Sequence, residues 1–252
     1  MQQGTKRTGT PSRRGKGETM ERLDKLLAAT GQWSRKEAKA LIKAGRVKVA
    51  GAAPRGPEDK VAPGTAVTVD GQPIATETYV YLMLHKPAGV VSSTQDPRDK
   101  TVLDLLPPPL RRLSLFPVGR LDKDTEGLLL LTNDGPLAHS LLAPGRHVDK
   151  VYYARVEGVL DQADQDAFVQ GMTLADGTVC QPARLEPLAP GDRCLVTLRE
   201  GKYHQVKRML AARGKPVTYL KRLSMGPLTL DPALPAGAWR PLTPEECAAL
   251  GR

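Results

Sequence analysis

Residues 119–135 read GRLDKDTEGLLLLTNDG. Leu128 to Leu131 form an unbroken apolar run with the length and composition of a fully buried strand. Gly119 and Gly127 bracket a polar excursion, RLDKDTE, and the Asn-Asp-Gly of 133–135 supplies a turn after the run. A strand with such a loop at its mouth can hold a carboxylate at the edge of a core, and Asp122 is placed to be that group. On the residues alone Asp122 reads first as a turn or cap acid, with Thr125 capping its neighbours, because Asp is ordinarily a turn former.

Outward from this stretch, YVYLMLHKP reads as a strand ending at Pro87, and PLAHSLLA as a short helix with Pro136 in its first turn. KVYYARVEG is a strand, and DQADQDAFVQG a helix with acids at its start. CLVTLREG, YHQVKRMLAARG and PVTYLKRLSMGPLTL follow as strand, helix and strand, with a closing LTPEECAAL helix capped by Thr243. Many strands among few helices predict an α+β domain around a mixed, mostly antiparallel sheet. No strand, Gly-rich loop and helix occur in the order a nucleotide fold needs.

The first part of the chain is built differently. Residues 1–19 are basic, polar and nearly free of apolar side chains, which predicts a disordered basic arm. RLDKLLAAT, residues 22–30, puts Leu23, Leu26 and Leu27 at helical spacing. Ser34 to Glu37 is a capping box that opens a second helix, with Ala38, Leu41 and Ile42 inward and Gly45 as C-cap. RVKVAG and AVTVDG alternate as short strands, and QPIATET, residues 72–78, reads as a linker. The predicted organisation is therefore an arm at 1–19, a small α/β module at 20–75 and a large domain at 76–252.

Charge follows the same division. Residues 1–49 hold 13 Lys/Arg against 4 Asp/Glu, whereas the remainder holds 24 against 23, so nearly all of the net +10 lies at one end. Arg35, Lys36, Lys39 and Lys43 cover the helix face away from the Leu/Ile stripe, and Arg46 and Lys48 extend it. A basic face on a small rigid support suits a polyanion, because each neutralised phosphate releases condensed counterions; the alternative is a solvated, solubilising face. Cys180, Cys194 and Cys247 lie far apart, and His85, His139, His147 and His204 form no close pair, so no metal is expected and a reducing cytoplasm fits. No segment reaches the roughly 18 consecutive apolar residues of a membrane span.

RLDKLLA followed by SRKEAKALIKAGRVKVAG resembles the RNA-binding domain named after small-subunit ribosomal protein S-four. That resemblance implies an RNA contact through Arg22, Lys25, Arg35, Lys36, Lys39, Lys43, Arg46 and Lys48. GRLDKDTEGLLLLTNDG, with YLMLHKPAGVVSSTQDP and TVLDLLP before it and KVYYARVEG, GMTLADG and EGKYHQVKRML after it, resembles the pseudouridine synthases. The similar branch contains the ribosomal small-subunit enzyme and its large-subunit relatives, and YHQVKRM with the N-terminal module is most similar to the small-subunit type.

The resemblance implies that Asp122 is the essential acid, acting as nucleophile or as base, in a reaction that needs no cofactor. It implies that Tyr152 stacks on the uracil, Val206 packs under that ring, Arg120 lies near the displaced nucleotide, and Lys150 supports the pocket or touches the backbone. Lys207 stands where many relatives carry Arg and would pair with Asp122 as a point charge, without the bidentate fork; alone it would read as a solvated helix lysine. His204 and Gln205 carry weaker signals. Tyr153 is expected on the opposite face of its strand from Tyr152. The expected partner is rRNA, most of all 16S rRNA in an assembling small subunit, met by a monomer. The alternatives are a large-subunit rRNA enzyme and a non-catalytic rRNA-binding assembly factor.

Overall fold

The computed structural model describes residues 20–252 except 63, 75–78, 144, 146 and 147. The expected arm at 1–19 and most of the expected linker lie outside the described residues. The chain divides into two compact units, Met1–Thr78 and Tyr79–Arg252.

In the first unit, β1 (Glu21–Arg22) leads into α1 (Leu23–Ala29), and α2 (Arg35–Lys43) follows. Ser34 caps α2 as expected: its hydroxyl accepts from the Glu37 amide and the Glu37 carboxylate accepts from the Ser34 amide. The helix closes on Ala44 rather than Gly45, and Gly45 follows at φ 72°, where a residue without Cβ is unstrained. β2 (Val47–Val49), β3 (Lys60–Val61), β4 (Val67–Val69) and β5 (Gln72–Ile74) complete the unit. β3 pairs with β1, while β2, β4 and β5 form an antiparallel sheet. Residues 72–74 are therefore strand, not linker. Pro73 is tolerated because β5 is an edge, where its missing N–H breaks no ladder. Leu23, Leu26, Leu27, Ala38, Leu41 and Ile42 bury against Val47, Val61, Val67 and Val69.

The second unit is a mixed sheet. Its elements run β6 (Tyr81–Lys86), a 3-10 turn (Val102–Leu105), α3 (Pro108–Arg111), β7 (Phe116–Pro117), β8 (Glu126–Thr132), α4 (Gly135–Leu142) and β9 (Lys150–Val156). They continue through α5 (Gln162–Gln170), β10 (Met172–Thr173), β11 (Val179–Cys180), β12 (Arg184–Leu188), β13 (Arg193–Leu198) and α6 (Gln205–Ala212). β14 (Val217–Met225), β15 (Leu228–Thr229), β16 (Trp239–Pro241) and α7 (Pro244–Ala249) close the chain. The strand order is β12-β13-β9-β14-β8-β6-β16, with β7 beside β8 and β15 beside β14. β14·β8 is a parallel pairing; the others are antiparallel.

The apolar run of β8 is buried on both faces. Leu128 and Leu130 enter a cluster with α4 residues Leu137, Ala138 and Leu141, whereas Leu129 and Leu131 enter another with Val90, Val102, Leu106 and Leu115. Period-two alternation sends neighbours to opposite sides, so a run with no polar member is what a strand between two cores requires. Burying each leucine is worth about 1.5–3 kcal/mol. The Asn-Asp-Gly expected as a turn is instead a helix start: buried Asp134 caps α4 through the Leu137 amide, with Gly135 and Pro136 in its first turn. Gly127 is fixed by close approach, since a Cβ there would lie 2.2 Å from the Arg222 carbonyl oxygen where β8 meets β14.

Candidate active site

The loop before β8 is held from beneath by two buried side chains. Lys86, the last residue of β6, is fully buried and donates to the carbonyls of Thr125 at 2.8 Å, Pro87 at 3.0 Å and Lys123 at 3.2 Å. Ser92 accepts from the Leu121 amide and donates to the Leu121 carbonyl, both at 3.0 Å. The Gly89 amide adds a bond to the Lys123 carbonyl at 2.8 Å. These contacts span Leu121 to Thr125 and leave the Asp122 side chain about a quarter exposed. Burial draws the Lys86 ammonium down to about 8, against the pull of the Asp124, Asp122 and Glu126 charges.

Over this loop lies the start of α6. Lys207 Nζ is 3.2 Å from Asp122 Oδ2 and 2.5 Å from Asp124 Oδ1, so one ammonium bridges two acids of the same loop. Burial works against the Lys207 charge, but the bonds to Asp124 and Asp122 outweigh it and hold the ammonium above the ordinary lysine range. Asp124 is likewise held below the usual carboxylate range, its partial burial overcome by Lys207. His204 Nε2 lies 3.5 Å from Asp122 Oδ1, and Thr125 Oγ1 lies 3.5 Å from Asp122 Oδ2. The carboxylate thus has a cation on one oxygen, an imidazole on the other, and a hydroxyl at its side. His204 adopts φ 49°, ψ 32°, an uncommon left-handed conformation for a residue with a Cβ.

Tyr152 lies in the buried cluster that also holds Leu121, from the loop, and Val206, from α6. Tyr153 faces away, its ring edge-on to Tyr219 at 6.1 Å between centroids, as strand alternation requires. The structure thereby gathers Asp122, Lys207 and His204 by direct contact, with Tyr152 and Val206 in the core beside them. Arg120 is exposed, two residues before Asp122. Lys150 is not on Asp122: it donates to the Val148 carbonyl at 3.1 Å, and burial, then the Arg222 charge, lower its pKa. Lys86, Ser92 and Asp124 were missed by the sequence reading. Lys86 had one available signal, a lysine closing a mostly apolar strand within HKPAG.

On the first unit the eight expected basic residues are all exposed, but they are not equally available. Asp24, fully buried, is ringed by Arg22 at 3.0 Å, Arg35 at 3.4 Å and Lys39 at 3.9 Å. The Arg22 bond is the chief cause of the low pKa of that acid. Arg46 pairs with Asp70, and Lys25 with Glu21. Lys36, Lys43 and Lys48 carry no ion pair among the described residues.

The chain belongs to the RNA pseudouridylate synthase family, whose model matches residues 80–212, and it carries an S4 domain at residues 21–67. It is 49% identical over 229 residues to an uncharacterized RNA pseudouridine synthase of Bacillus subtilis, covering 89% of this chain and 96% of that one. It is 45% identical to the ribosomal small subunit pseudouridine synthase A of Pseudomonas aeruginosa, across 91% of this chain and all of that one. The enzyme of that name from Escherichia coli K12 is 40% identical, across 91% of this chain and 99% of its own. A crystal structure of a pseudouridylate synthase superposes with a TM-score of 0.65 at 33% identity, covering 91% of this chain and 99% of that one. The mixed sheet, the enzyme class and the RNA-binding module expected from the sequence are those of this family.

Proposed function

We propose that this chain converts a specific uridine of 16S rRNA to pseudouridine, with Asp122 as the reacting carboxylate. The observation that carries the chemistry is the Asp122–Lys207 pair on a loop fixed by Lys86 and Ser92, beside Tyr152. In the reaction the N1–C1′ bond of the uridine breaks, the uracil turns, and C5 bonds to C1′. C5 loses its proton to solvent and N1 gains one. The product is an isomer, so no electrons are exchanged with a redox partner.

Within this scheme Lys207 positions the Asp122 carboxylate, its ammonium 3.2 Å from Oδ2. Asp122 then adds to the sugar or base, or removes the C2′ proton. Tyr152 receives the uracil once it leaves its RNA stack, Val206 supports the ring from below, and Arg120 meets the displaced nucleotide. Lys150 supports the pocket from β9. The small-subunit substrate is favoured by the names of the Pseudomonas aeruginosa and Escherichia coli relatives, both matched over nearly their whole length.

The S4 domain supplies the grip on rRNA, with Lys36, Lys43 and Lys48 as its least committed cations. The remaining members, Arg22, Lys25, Arg35, Lys39 and Arg46, contribute charge that their acidic neighbours partly neutralise. The protein acts as a cytoplasmic monomer on an assembling small subunit. Mapping pseudouridines in rRNA from cells with and without the gene tests the substrate. One 16S site is expected to disappear; loss of a 23S site alone would move the activity to the large subunit.

A further inference from the structure

Tyr203 is 75% exposed, in the turn that opens α6. Its ring stacks on His204 with 3.9 Å between centroids and 16° between planes. The edge of His204 reaches the reactive site, since its Nε2 lies 3.5 Å from Asp122 Oδ1. A solvent-facing aromatic surface therefore stands one ring thickness from the imidazole that touches the carboxylate.

The turn that holds this pair is rigid. Gln205, which is buried, accepts from the Lys202 amide at 3.0 Å and donates to Glu200 at 2.5 Å. The Gln205 amide bonds the Lys202 carbonyl at 3.2 Å, and Arg208 donates to the Tyr203 carbonyl at 3.3 Å. His204 is kept in its left-handed conformation within this frame, a backbone state that recurs at binding sites. Tyr203 covers one face of the His204 ring while the Nε2 edge of that ring meets Asp122.

We infer that Tyr203, backed by His204, is a stacking platform for the nucleobase next to the target uridine in the RNA chain. Extruding one nucleotide leaves its neighbour with an uncovered face, and a flat aromatic ring restores the stacking at that step. The platform selects a nucleobase by its π face, so it serves a purine or a pyrimidine. This rests on the reading of Asp122 as the site of uridine chemistry.

The test uses the full-length protein and oligoribonucleotides spanning the mapped uridine. They carry [5-³H]uridine at the target and 2-aminopurine on its 5′ or its 3′ side. Wild type is expected to release tritium and to quench 2-aminopurine at one of the two positions. Tyr203→Ala is expected to lose that quenching and to raise KM on the order of 10- to 100-fold, with the loss falling on KM rather than kcat; Tyr203→Phe restores both. Tritium release by wild type together with an unchanged KM and unchanged quenching in Tyr203→Ala would overturn the platform alone. No tritium release by wild type from any rRNA substrate would overturn the assignment of Asp122, and the platform with it.

Discussion

Lys86→Met removes the ammonium under the Asp122 loop while keeping most of the side-chain volume. Three carbonyls, of Pro87, Lys123 and Thr125, lose a charged donor in a buried setting. Hydrogen bonds to a charged group are worth about 1.5–3 kcal/mol each, a gross loss of roughly 5–9 kcal/mol. Against this stands the cost of burying the charge: the fall of the lysine from 10.5 to about 8 corresponds to about 3 kcal/mol. The net destabilisation near pH 7 is about 2–6 kcal/mol, or a Tm lower by about 5–25 °C for a unit of this size.

The pH dependence has a definite sign. In the wild type the folded state holds the Lys86 proton less tightly than the unfolded chain, so its penalty is complete below about pH 8 and is relieved as pH rises to 10.5. The methionine variant lacks this relief, and the stability gap between the two proteins widens across that window. Thermal unfolding followed by circular dichroism at a series of pH values reads both quantities. Equal Tm at pH 7, or a gap that narrows from pH 8 to 10.5, would refute the assignment of Lys86 as the buried clamp of the loop.

Other perturbations test the remaining parts. Lys207→Met is expected to lower kcat by about 10²-fold or more by freeing the Asp122 carboxylate from its 3.2 Å partner, whereas Lys207→Arg retains activity; single-turnover tritium release compares them. Replacing Lys36, Lys43 and Lys48 together with alanine is expected to flatten the salt dependence of rRNA binding by about 2–3 in log–log slope, with the chemical step unaffected once RNA is bound. Gly127→Ala places a Cβ 2.2 Å from the Arg222 carbonyl oxygen, at φ 108°, and is expected to cost at least about 3 kcal/mol in denaturant unfolding.

The sequence made some of these features legible and hid others, for physical reasons. Local signals carried well. The Ser34 capping box, the two-sided run of β8 and the opposed faces of Tyr152 and Tyr153 are set by periodicity and short-range hydrogen bonding. The Asp122–Lys207 contact joins residues far apart in the chain; it was reached through family resemblance, not spacing. Residues 133–135 misled because Asn-Asp-Gly suits a hairpin and a helix start alike, and Pro136 was the discriminating neighbour. Strand β5 was hidden by Pro73, whose acceptability depends on edge position. The clamp by Lys86 and Ser92 depends on which carbonyls β6 and its following turn meet in space, and no local pattern encodes that.

The central claim is that one carboxylate, Asp122, does the chemistry on a uridine of rRNA. Asp122→Asn keeps the shape of that side chain and removes its charge, so the comparison isolates the anion. Tritium release from [5-³H]uridine-labelled 16S rRNA, measured beside RNA binding, reads chemistry and recognition separately. We expect no release above background, with rRNA affinity held within about fivefold of wild type, or about 1 kcal/mol. Sustained release by Asp122→Asn, at a rate near that of wild type, would contradict the account.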